Sequence, residues 1–230
     1  MVLAAGHIRS GPISQEKNVD ERFEWVRTSC GFRFQSRQEW PRQTSDIEVR
    51  YDAELRPLWA WKRLTIPGST RADGQADIRR YELRTGDVFI KHRDESGDLA
   101  LERLLPGGRR DVPSGMHVGA VVGPGRGVLT PWLQRAKLTA GERVRELVLD
   151  FRSTVEALEI ASLERDDDRF EPSLHKLVRV YTFYGQETVF ADADDVVIGD
   201  LAGMRPSDSL TTAPPPPTPM YGQPDPEHTP

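Results

Sequence analysis

Three short stretches carry residues whose types and spacing could do chemistry. In "ADADDVV", Asp192, Asp194 and Asp195 offer hard oxygen ligands of the kind calcium takes. An EF-hand loop would also need a third acidic ligand at Val196, a glycine at Val197 and a later glutamate. None is present, so the stretch reads as a hairpin turn, since aspartate bonds readily to nearby backbone. "ERDDDR", residues 164–169, reads the same way, because Arg165 and Arg169 offset part of the charge a cation would seek. "GPGRG", residues 123–127, precedes an expected helix, where phosphates bind. It lacks the lysine and hydroxyl of a P-loop and the spacing of a dinucleotide turn, and reads as a glycine-rich connection.

His7, His92, His117, His175 and His228 are scattered, and no HExxH or nucleophile elbow occurs. Cys30 would need a base and an electropositive setting to act as a nucleophile. At a strand start it reads as a small apolar filler. No metal and no cofactor are expected.

The elements that would position such groups are mostly strands. "RFEWVR" and "CGFRFQSRQEW" alternate with period two, as half-buried strands do. "DIEVRY" and "LRPLWAWKRLTI" follow. "IRRYELRTGDVFIKHRDESGDLALERLL" reads as strands broken at Thr85-Gly86-Asp87 and Glu95-Ser96-Gly97, an antiparallel meander. "PSGMHVGAVVGPGRG" reads as irregular. "VLTPWLQRAKL" opens a short helix, with Thr130 as N-cap and Pro131 at the first helical position. "GERVRELVLDF", "STVEALEIASLE" and "KLVRVYTFY" return to strands, the second being also compatible with a helix.

Composition bounds the rest. The chain has 230 residues and a net charge of -5. One domain of that size buries roughly 70% of its unfolded surface. A single cysteine rules out an intrachain disulfide framework. The last 25 residues hold Asp208, Asp225 and Glu227 and no Lys or Arg, which leaves the body near -2. Such a body gives no electrostatic case for nucleic acid. No apolar run reaches the roughly 18 residues of a membrane span. Residues 1–20 read as a flexible N-terminal segment and 21–205 as a β-rich globular domain. Residues 206–230, with half of the 18 prolines, read as a disordered proline-rich tail sampling polyproline II.

Two strands are apolar on both faces. In "PLWAWKRL", Trp59 and Trp61 share a face with Arg63, and Leu58 and Ala60 share the other. In "LVRVYTFY", Leu177, Tyr181 and Phe183 share a face with Arg179, against Val178, Val180 and Tyr184. Such strands need cover on both sides, from the chain's own core or from a ligand or partner in a groove. The groove reading places Trp59, Trp61, Tyr181 and Phe183 around one concavity, with Arg63 and Arg179 facing an anionic headgroup.

Read together, "RRYELRTGDVFIKHRDESG", "VLTPWLQRAKLTAGERVRELVLD" and "LVRVYTFYGQETVFADADDVVIGDL" resemble uncharacterised bacterial envelope proteins with a half-barrel β-sheet. Their fold is akin to that of lipoprotein-carrier and outer-membrane lipoprotein-sensor proteins. The similar features are the helix-like linker, the "LTAGER" turn, a strand ending in Asp and a terminal hairpin, Thr188 to Ile198. The resemblance spans about Glu21 to Arg205. It implies a periplasmic or envelope location and apolar-ligand binding. The sequence shows no signal peptide or lipobox cysteine, so a cytoplasmic location is the expectation if Met1 is the true start.

The resulting expectation is a mainly β protein, an antiparallel curved sheet or half-barrel with one or two short helices. Its function is non-enzymatic binding or scaffolding, with an apolar or lipid-like ligand on a concave sheet face. Two alternatives stand beside it. One is a hydrolase-type enzyme assembled from dispersed His and Asp/Glu. The other is an interaction protein that meets a partner through its proline-rich tail.

Overall fold

Period-two alternation governs the first half of the chain. The computed structural model describes residues 1–10, 19–41, 43–65, 78–84, 87–93, 99–104, 117–152 and 157–206. Eight strands run in sequence order: β1 Val2–Ser10, β2 Asp20–Thr28, β3 Gly31–Trp40, β4 Gln43–Tyr51, β5 Pro57–Thr65, β6 Ile78–Arg84, β7 Asp87–Arg93 and β8 Leu99–Leu104. Each pairs antiparallel with the next, and a short last strand, β16 Met204–Pro206, pairs with β1. The result is a curled nine-stranded sheet. Pro206, which has no N–H to give, lies on its edge strand, where that donor is not needed.

The second sheet comprises β9 Val118–Val122, β10 Arg143–Asp150, β11 Ala157–Arg165, β13 Lys176–Phe183, β14 Glu187–Ala191 and β15 Val197–Asp200, with β12 Arg169–Glu171 paired to β13. Between β9 and β10 the chain makes a 3-10 turn, Gly127–Leu129, and one helix, α1 Thr130–Ala136. That crossover lets β9 and β10 run parallel, which a tight hairpin could not.

The core lies where the sheets face each other. Trp25, Phe34, Val49 and Ala60 enter it from β2–β5, Tyr181, Phe183 and Val189 from β13 and β14, and Trp132 and Leu133 from α1. Phe23 and Phe34 stack at 5.9 Å, and Trp25 meets Tyr51 edge-on at 5.3 Å. Each Val, Leu or Phe among them contributes roughly 1.5–3 kcal/mol by leaving water. The expected class, a mainly β half-barrel with a short helix, is the observed one. Among the described residues no helix is long and apolar enough to cross a membrane.

Several local expectations are corrected. Residues 2–10, expected as flexible, form β1, with Ile8 in the core. Its run of Ala4, Ala5 and Gly6 hid the alternation. The stretch expected to be irregular contains β9, whose valines are buried against β10. Helix α1 is capped by Leu129 rather than Thr130, which already has helical angles. The Thr130 hydroxyl instead accepts the Val197 N–H at 3.1 Å. Cys30 is exposed in the β2–β3 turn and fills no core space. Leu58, expected on the face of Ala60, is 51% exposed, because a bulge opposite Arg50 and Tyr51 interrupts the alternation. Thr85-Gly86, Glu95-Ser96-Gly97 and the tail from residue 207 lie outside the described residues.

Candidate functional site

The glycine-rich loop does behave as an anion cradle, and the chain fills it itself. Glu21 of β2 is fully buried, and its carboxylate accepts the N–H groups of Arg126 at 2.6 Å and Gly127 at 2.9 Å. Gln38 reaches the same carboxylate at 3.4 Å. A Cβ on Gly125 would lie 2.3 Å from Glu21 Oε1, so only glycine lets the loop approach. Burial pushes the Glu21 carboxyl above the ordinary glutamate range, and the two amides and Gln38 pull it back only in part. The Arg126 side chain reaches Asp200 at 2.9 Å and Glu187 at 2.7 Å, and its guanidinium lies 5.4 Å above the Phe183 ring. Arg152 ties Glu187 to Asp150 and closes the chain of charges.

"ADADD" is the turn between β14 and β15. Asp192 Oδ1 accepts the N–H groups of Asp194 at 2.9 Å and Val196 at 3.0 Å. Asp195, in the left-handed region at φ 59°, points inward, where it takes the Tyr181 hydroxyl at 2.6 Å and Arg179 at 2.8 Å. The carboxylates thus diverge. Among the described residues no group of three or more His, Cys, Asp or Glu side chains is arranged to hold a metal. Burial, and then the bond to Asp195, pushes the Tyr181 hydroxyl well above the usual tyrosine range.

Beside that turn lies a cavity of about 430 Å³. Gln134, Lys137, Leu138 and Thr139 line it from the end of α1, Arg165 and Arg179 from β11 and β13, and Asp194 and Asp195 from the turn. Gln134 braces the wall, accepting from Trp25 Nε1 and donating to the Asp194 carbonyl, both at 2.9 Å. Arg165 donates to the Leu138 carbonyl at 2.9 Å and to Asp168 at 2.6 Å. The bond to Asp195 raises the pKa of Arg179 above the ordinary arginine range.

No family model matches the sequence, and no curated protein matches it. Two solved structures are similar in fold. One is a DUF1089 family protein from Pseudomonas aeruginosa, with 14% identity and a TM-score of 0.44, over 77% of this chain and 87% of that one. The other is a β-barrel-like protein of domain of unknown function DUF1849 from Brucella abortus, with 11% identity and a TM-score of 0.38, over 86% of this chain and 85% of that one.

The expected aromatic groove does not form. Tyr181 and Phe183 are wholly buried between the sheets. Trp59, Trp61 and Arg63 alternate with the inward Ala60 and Lys62, and so lie half-buried on the other face of β5, where Arg50 sits 4.7 Å over Trp59. The second apolar face of β13 is also covered by the chain. Val178, Val180 and Phe190 form a small cluster under Leu174 and Ile198, with Arg169 and Arg205 over the Phe190 ring at 4.9 and 5.6 Å. Of the six residues read from sequence, only Arg179 reaches the cavity. Lys137 and Gln134 were missed, because only the tertiary structure brings them and Arg179 around one cavity. Exposed Leu177 and Phe170, paired across β13 and β12, were missed as surface features because both read as ordinary strand residues.

Proposed function

We propose that the chain is a non-enzymatic binding protein for an amphiphilic, lipid-like ligand. The anionic head lies at Arg179 in the cavity, and the apolar part lies along Leu177 and Phe170. The observation that carries this reading is a polarity gradient along one face of β13. Phe183 and Tyr181 are sealed in the core, Arg179 opens on the cavity, and Leu177 is 64% exposed beside Phe170 at 60%. A pair of strands that exposes two large apolar side chains next to a charged cavity suits a ligand with both characters. Association with a bacterial envelope, which the family likeness implies, belongs to the same proposal.

The test uses displacement of an apolar fluorescent dye by dodecyl methyl phosphate. Leu177→Ser and Phe170→Ser should each weaken binding several-fold. Their thermal midpoints should barely move, since neither side chain is packed. Unchanged affinity in the double variant would refute the proposal.

A further inference from the structure

The geometry points to a site for a single negative charge in the cavity, with Lys137 as the residue that captures it; this rests on the amphiphile reading and names the head that the ligand carries. Arg165 and Arg179 each have a carboxylate partner, Asp168 and Asp195. Their charges are offset, while both residues still line the cavity. Lys137 differs. Its ammonium has no hydrogen-bond or ion-pair partner among the described residues, and the residue is exposed at the rim. Its backbone is left-handed, φ 47°, and its N–H caps α1 on the Leu133 carbonyl at 3.1 Å. Glycine is the usual residue at such a helix end. A lysine there is strained, yet it sets an unpaired cation beside two further cationic groups.

The charge that fits is one, not two. Asp194 is exposed at the same cavity, and Asp195 lies in its wall. A phosphodiester or carboxylate meets Lys137 and the spare guanidinium donors, and a second charge would face Asp194. Asp194 therefore sets the specificity, and its carboxylate can accept a hydroxyl of the ligand head.

Calorimetric titration of the full chain at low salt tests this with dimethyl phosphate, a monoanion, and with methyl phosphate at about pH 8, where it is a dianion. Dimethyl phosphate should bind, weaken with added salt, and bind about three- to fivefold more weakly to Lys137→Gly and Lys137→Asn, while Lys137→Arg retains affinity. Lys137→Gly should have a raised thermal midpoint, which separates lost binding from lost folding. Methyl phosphate should bind no more tightly than dimethyl phosphate, and Asp194→Asn should reverse that order. Equal affinity of the parent and Lys137→Gly, or no binding of either anion at millimolar concentration, would overturn the site. Dodecyl methyl phosphate separates the two readings. Tight binding independent of Lys137 sinks the charge site and leaves the amphiphile reading standing. Lys137-dependent binding with no gain from the dodecyl chain does the reverse.

Discussion

The chain holds two places built to receive negative charge, and they differ in who supplies it. At the loop Gly123–Gly127 the anion is Glu21, wholly buried and fixed by two backbone amides. At the end of α1 the cationic groups are only partly matched, and Lys137 faces an opening. The first arrangement locks a connection into the core of the sheet. The second leaves a charge accessible to solvent, as binding requires. The same elementary chemistry is structural where the chain completes it and receptive where it does not.

Strand β13 runs between the two: its Phe183 ring lies under Arg126, and on the same face Arg179 lines the cavity. Phe183→Ala should destabilise the fold by about 3–5 kcal/mol, because a wholly buried ring leaves a cavity. Denaturant titration measures it, and a change below about 1 kcal/mol would mean that the two places are not joined through the core.

Glu21→Ala comes next. It strands two buried amides, each at about 1–3 kcal/mol, and should destabilise by roughly 2–4 kcal/mol. The native Glu21 also gives the protein a pH signature. Its folded pKa is raised above the unfolded value, so the folded state holds this proton more tightly. Stability from that source is fully present below the ordinary glutamate pKa of roughly 4.3 and is lost as pH rises through the folded value. Glu21→Gln should flatten that part of the stability curve, and an unchanged slope would show that the carboxyl titrates normally.

At the cavity the effects are smaller. Tyr181→Phe removes the hydroxyl from Asp195 and should cost about 1–2 kcal/mol, with the loss divided between the turn and the β13 wall. Lys137→Gly should have the smallest effect and the opposite sign, a gain of about 0.4–1 kcal/mol from relief of the left-handed backbone. A loss there would mean that the Lys137 side chain already stabilises the fold.

Strands were legible because alternation survives in single sequences. "RFEWVR" shows Phe23 and Trp25 inward against Glu24, and the structure keeps that pattern. The fold class followed from the density of such runs. The location of the site did not. β5 and β13 look alike in sequence, both apolar on two faces, yet they meet different neighbours. Trp59 and Trp61 went to the outer face beside Arg50, and Tyr181 and Phe183 to the interior.

The sequence by itself determined what is local: the strand periods, the helix near Pro131, the aspartate turn at 192–195, and the poor fit of "ADADD" and "GPGRG" to known metal and phosphate loops. The tertiary structure alone decided which charges were answered. Glu21 meets Gly127 across 106 positions, and Gln134 meets Asp194 across 60. Alternation fixes which way a side chain points relative to its own strand. It carries no information on which strand, loop or helix end the chain folds opposite, and that partner decides whether a charge is buried, paired or left open.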